Sequence, residues 1–277
     1  MAPQAAPIGH LFVPRRGPGC APPPVCAEPC ARSTCCSFDG ISLIGALAEF
    51  LGTLFVVLFS VGAIAMWIFN SNERECCSGP EIPLAIGLAY AAACYAFAKY
   101  SGGHFNPAYT LASLIARRLS IIQAVVYWVA QLLGAVTAGA LLLLFVNAYD
   151  PTLGSPRLLG GFSDGKAFFL EALATMFLTL FLLLTSKCTH GCSYTRAVVY
   201  GVTVAAIAYF TFVLTGAVFS PWRYLGVAIF SGNWVSAWVF SIAGFVGSIA
   251  GALIYMIFAN TKYAIDAEHG AARVAAA

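Results

Sequence analysis

The chain has 277 residues, 60% of them hydrophobic and only 9% charged, with a net charge of +3. Soluble domains carry about 25% charged residues, which excludes an ordinary cytosolic enzyme, a nucleic-acid binder and a disordered scaffold. With 26 Gly and 14 Pro it also does not suit a simple soluble helical bundle; an integral membrane protein remains.

Residues 1–38 hold eight of the 14 Pro and five of the ten Cys, and no apolar run long enough for a signal-peptide core. They read as a disordered, Pro-rich cytoplasmic tail. Cys20, Cys26, Cys30, Cys35 and Cys36 match no standard zinc spacing. Reduced thiols are the simpler reading, with palmitoylation of Cys35 and Cys36 the alternative.

Phe50–Asn72, Ile82–Ala98, Leu119–Tyr149, Ala172–Ser186, Ala197–Trp222 and Tyr224–Thr261 contain no Asp, Glu, Lys or Arg. A helix crosses the hydrocarbon core with about 20 apolar residues. Six spans fit when the first and fourth windows reach back through Glu49 and Glu171. The expectation is one membrane domain over residues 41–258 and a short cytoplasmic C-terminal tail over 259–277. With the N-terminus cytoplasmic, ten Lys/Arg lie inside and Arg74, Arg157 and Lys166 outside, while Arg223 falls within the membrane region. That asymmetry satisfies the positive-inside tendency and puts both termini in the cytoplasm. Cys76 and Cys77 would face the other side, within reach of an inter-subunit disulfide. Cys188-x-His190-x-Cys192 lacks a fourth metal ligand, so no metal site and no cofactor are expected.

The chain resembles itself. Glu49-Phe50-Leu51-Gly52-Thr53 returns as Glu171-Ala172-Leu173-Ala174-Thr175, and Gly102–Pro107 returns as Gly216–Pro221. Gly87 precedes Asn106 by 19 residues, as Gly201 precedes Ser220. Gly134 and Gly247 follow these two residues by 28 and 27. The two copies, about 41–147 and 166–258, each carry three spans, so the second is inverted in the membrane. Inverted repeats place transport sites at the midplane, between broken helices.

Asn106-Pro107 and Ser220-Pro221 are those candidates: a capping residue, Pro at the first helical position, then an apolar stretch too short to span. Two such half-helices from opposite faces would aim their positive ends at one point. The segments Ser101–Phe105 and Thr215–Phe219 leading to them are expected to be extended and to line a path with carbonyls, where irregular backbone survives in a wet cavity. Such a site welcomes a neutral acceptor oxygen and repels cations.

The segment Ser101-Gly102-Gly103-His104-Phe105-Asn106-Pro107-Ala108-Tyr109-Thr110-Leu111 resembles the first signature loop of the aquaporin (major intrinsic protein) family. Ala48-Glu49-Phe50, Ala130–Ala135 and Ser231-Gly232-Asn233-Trp234 are similar to further landmarks of that family, over about residues 41–258. The resemblance implies an all-α membrane protein, with six transmembrane helices and two re-entrant half-helices. It also implies a homotetramer with a pore in each subunit, in a lipid bilayer and without nucleic-acid partners. Ala48/Gly52, Gly134/Ala138 and Gly247/Gly251 independently suit close helix packing.

The second signature departs from the family's Asn-Pro-Ala: here it is Ser220-Pro221-Trp222, followed by Arg223. Ser can cap a half-helix but lacks the amide donors of Asn. Trp222, where a small residue is usual, is expected to reshape the pore centre or the packing around it. Pore roles follow for Asn106, Pro107, Ala108, Ser220, Pro221 and Trp222. By position the resemblance implies an outer filter of Ile86, Ala208, Ala217 and Arg223, wider and less polar than a water-selective one. Tyr224, Ala228 and Phe240 give a mixed signature closer to the water branch. Glu49, Glu171 and Gln131 are expected to brace the loops, and His104 to hydrogen-bond within its own loop, with a pH-sensitive donor at the pore mouth the alternative.

These residues point to a passive channel for water and small neutral solutes such as glycerol, urea, ammonia and peroxide. A secondary transporter would need an unpaired intramembrane carboxylate, and a non-conducting member would owe its closure to Trp222 and Ser220. No nucleophile–base pair suggests an enzyme. Plasma membrane and vacuolar membrane are both compatible.

Overall fold

A computed structural model describes residues 41–73, 81–185 and 193–275. The N-terminal segment with its five cysteines, Cys76 and Cys77, and the Cys188–Cys192 motif lie outside the described residues. The helices are α1 (Leu43–Glu73), α2 (Glu81–Ser101), α3 (Pro107–Ile115), α4 (Ile121–Val146), α5 (Asp164–Thr185), α6 (Ser193–Thr215), α7 (Pro221–Ser231) and α8 (Ala237–Ala275). Six are long and apolar enough to cross a membrane. At nine and 11 residues, α3 and α7 are not. No strand occurs among the described residues. The apolar part of α8 ends at Asn260, but Ala259–His269 holds no Gly or Pro to break the helix, and it continues.

The repeat in the sequence is a repeat in space, α1–α4 matching α5–α8. The small residues mark where backbones touch. A Cβ on Gly87 of α2 would lie 2.5 Å from the carbonyl oxygen of Gly201 on α6, and one on Gly201 would lie 2.8 Å from that of Gly87. The matched residues Gly87 and Gly201 therefore form the crossing point of the matched helices. Gly134 of α4 packs on the Phe50 carbonyl of α1, as Gly247 of α8 packs on the Ala172 carbonyl of α5. In a membrane, where lipid is as apolar as Leu, such close packing replaces the hydrophobic effect as the force between helices. Gly247→Val puts a branched side chain against the Ala172 carbonyl. It is expected to cost about 1–3 kcal/mol, seen as a lower midpoint of thermal unfolding in detergent. An unchanged midpoint would show that α5 and α8 can separate without loss.

The linker between the repeats is tied down by a buried aspartate. The Asp150 carboxylate accepts from the backbone N–H groups of Thr152 and Gly154 at 2.9 and 2.6 Å, and from the Thr152 hydroxyl at 2.6 Å. This turn packs Gly154 on the carbonyl of Val61 in α1.

Candidate functional site

The half-helices begin as the sequence predicts. Asn106 caps α3 in an extended conformation, its Oδ1 accepting from the N–H of Ala108 at 2.9 Å, with Pro107 in the first helical position. Ser220 caps α7 in the same conformation, its Oγ accepting from the N–H of Arg223 at 3.4 Å, ahead of Pro221. The two caps meet: the Asn106 side-chain amide donates to the Phe219 carbonyl at 2.9 Å. Two helix N-termini, each with partial positive charge, thus converge inside the protein.

The segments before them are shorter and more coiled than expected. Ser101 and Thr215 end α2 and α6. The loops then pass through matched left-handed positions: Gly102 and Gly216 (φ 88° and 83°), Gly103 and Ala217 (64° and 51°), Phe105 and Phe219 (48° and 53°). At three of these six positions a side chain accepts a conformation that favours glycine.

Buried carboxylates hold the loops in that shape. Glu49 Oε1 accepts from the Ser101 hydroxyl at 2.5 Å and the His104 N–H at 2.8 Å; Oε2 accepts from the Phe105 N–H and the Gln131 amide, both at 2.7 Å. Glu171 repeats the pattern with the Thr215 hydroxyl at 2.5 Å, the Val218 N–H at 3.2 Å and the Phe219 N–H at 2.9 Å. Gln131 also donates to the Thr110 hydroxyl at 2.9 Å. His104 is buried; its Nδ1 lies 3.1 Å from that same hydroxyl, and its ring packs on Tyr109 and Tyr127.

Ile86, Ala208 and Ala217 are fully buried in one cluster, beside Phe105 and Phe219. Arg223 joins them through one Nη, which donates to the carbonyls of Ala217 at 2.6 Å and Val218 at 3.3 Å. Its Nε has no partner within the protein. A cavity of about 10 Å³, room for about one water, lies beside it between Val61, Gly154, Pro156 and Val218. Pro107 and Ala108 are buried in the first turn of α3.

Trp222 lies elsewhere. Its indole N–H donates to the Trp128 carbonyl of α4 at 2.9 Å, its ring meets Phe245 of α8, and it packs on the Val57–Val227 cluster rather than on that of Ile86 and Ala208. Trp128 in turn donates to the Pro107 carbonyl at 3.0 Å. The large side chain at this position fills the gap between a half-helix and its flanking spans. Tyr224, Ala228 and Phe240 likewise form a separate cluster.

Ser220 leaves an asymmetry. The Asn106 amide reaches across to Phe219, and the matching carbonyl of Phe105 receives nothing from Ser220. Ser220→Asn supplies that second crossing bond and is expected to raise stability by about 1 kcal/mol. Thermal unfolding in detergent checks it; a fall in the midpoint would mean that Asn does not fit the second cap.

The sequence reading passed over Tyr90, Cys94, Tyr109 and Tyr200, all buried in the cluster of Ile86 and Ala208. The signal was available in the spacing: Tyr90 and Cys94 follow Ile86 on one face of α2, and Val204 and Tyr200 precede Ala208 on one face of α6. Arg196 lies near the start of α6 and donates to the Tyr109 hydroxyl at 3.1 Å.

Residues 41–255 match the model of the family described as Major intrinsic protein. The chain is 38% identical over 214 residues to the glycerol uptake facilitator protein-like 6 of Lactiplantibacillus plantarum, covering 74% of this chain and 94% of that one. It is 34% identical to aquaporin-4 of Rattus norvegicus over 242 residues, 84% of this chain and 74% of the other. The fold is similar to the X-ray structure of the aquaglyceroporin from Plasmodium falciparum, with a TM-score of 0.70 at 24% identity over 77% of this chain and 95% of that one.

Proposed function

Because the chain belongs to the major intrinsic protein family, we propose that it is a passive transmembrane channel for water and small uncharged solutes that excludes ions. Membership places it among channels rather than enzymes. The observation that carries the reading is the convergence of two helix N-termini beside one buried arginine. Asn106 and Ser220 cap the two half-helices, and Arg223 donates to the carbonyl of Ala217, which shares a buried apolar cluster with Ile86 and Ala208. A cation meets two positive dipole ends and a guanidinium there, with no carboxylate left to receive it. A neutral molecule brings an acceptor oxygen to donors already in place.

Ion-coupled transport is disfavoured by the same geometry. Both intramembrane acids are occupied, Glu49 by four donors and Glu171 by three. We extend the proposal to a homotetramer with both termini cytoplasmic, supported by the charge asymmetry of the sequence and the apolar outer faces of the spans.

Purified protein in liposomes tests the reading. Vesicle shrinkage in an impermeant osmolyte should be far faster than in empty liposomes and insensitive to a protonophore. Rates no better than empty liposomes, from folded protein, would refute an open channel.

A further inference from the structure

The inverted repeat has a consequence for the inner half of the path. Positions 114 residues apart are equivalent: Gly87 with Gly201, and Asn106 with Ser220. Applied to the outer group, the same offset carries Ile86 to Tyr200, takes Ala208 back to Cys94, Ala217 back to Gly103 and Arg223 back to Tyr109. Cys94, Tyr109 and Tyr200 share one buried cluster, each at most 1% exposed. The fold thus builds a second ring facing the cytoplasmic end, two of its four members being phenols where the outer ring has Ile86 and Arg223.

Resting on the channel reading, we propose that this inner ring, closed by Tyr90 against Tyr200, is the narrowest part of the pore. It sets the size limit below a polyol such as glycerol while passing water.

Three observations carry this. First, α2 and α6 touch backbone to backbone at Gly87 and Gly201, so Tyr200, next to Gly201, and Tyr90, about one turn on from Gly87, have little room. The rings of Tyr90 and Tyr200 meet there with centroids 5.0 Å apart. Second, the Tyr200 hydroxyl donates to the His104 carbonyl at 2.8 Å, tying the phenol to the re-entrant loop. Third, the Tyr90 hydroxyl has no partner within the protein, and neither has Arg223 Nε. Buried polar atoms are almost always hydrogen-bonded, and a file of water passing Arg223 and then Tyr90 would satisfy both. Arg196, bonded to Tyr109, adds a cation to the inner ring where the outer one has Arg223. The apolar width at Ala208 and Ala217 therefore does not decide which solutes pass.

Liposomes holding the full chain, assayed with water, urea and glycerol, give the test. Wild type should pass water but re-swell slowly in glycerol. Tyr200→Ala and Tyr90→Ala should each raise the glycerol-to-water ratio at least tenfold, and Arg223→Ala less than threefold. Tyr90→Ala breaks no hydrogen bond in the protein, so it remains informative should Tyr200→Ala fail to fold. Fast glycerol entry in wild type overturns the proposal, as does a ratio raised by Arg223→Ala and by neither tyrosine variant. A wild type closed even to water but opened by either tyrosine variant would uphold the inner constriction and refute the open-channel reading. No flux in any folded variant refutes both.

Discussion

Glu171→Ala is expected to abolish water permeability and to lower the stability of the fold by at least about 3 kcal/mol. The carboxylate receives the Thr215 hydroxyl and the N–H groups of Val218 and Phe219, and the described structure gives these two N–H groups no other acceptor. Leaving a buried donor unpaired costs about 1–3 kcal/mol each, more where no water can reach. The loop it holds passes through two non-glycine residues with positive φ, Ala217 and Phe219. Without the carboxylate nothing balances that strain. The carbonyls that hold Arg223 and Asn106 would move with the loop. Glu171→Gln keeps one acceptor oxygen but points an amide donor at an N–H, so about half the loss is expected. Thermal unfolding in detergent and stopped-flow shrinkage read the two effects. Wild-type values for both in Glu171→Ala would show that the loop holds itself.

Arg223→Val is expected to open the channel to protons and small cations. At about 5 Å and an effective dielectric of about 20, a unit charge repels a cation by about 3 kcal/mol, or about a hundredfold in rate. The variant should therefore leak protons about a hundred times faster than wild type, followed with a pH-sensitive dye inside the liposomes. Arg223→Lys keeps the charge but not the planar guanidinium whose one Nη donates to both the Ala217 and Val218 carbonyls. It should stay tight to protons while losing some stability. A proton-tight Arg223→Val would move the ion barrier away from this residue, to the helix N-termini or to Arg196.

Much of this was legible in the chain. The uncharged windows locate the spans, because hydrocarbon tolerates few charges; Glu49, Glu171 and Arg223 stand out because a charge at that depth needs a partner. Asn106-Pro107 and Ser220-Pro221 announce helix starts through capping and a fixed φ. The matched glycines announce contact between backbones. Less legible was where large side chains go. Trp222 in a signature motif left a reshaped pore centre and altered packing both open, and in the fold its indole bonds to α4 and its ring meets α8. A residue's place in a motif gives its position along a helix, and the neighbours decide which way a bulky ring can turn. Tyr90 and Tyr200 looked like ordinary members of apolar spans for the same reason.

By itself the sequence determined a six-span inverted repeat with two half-helices, since hydropathy, local capping and internal similarity act along the chain. Only the tertiary structure decided that the Asn106 amide crosses to the other repeat and that α2 and α6 touch at Gly87 and Gly201. It alone brought Tyr90 against Tyr200. These contacts join residues about 110 apart, and such distances close only when the two halves pack against each other.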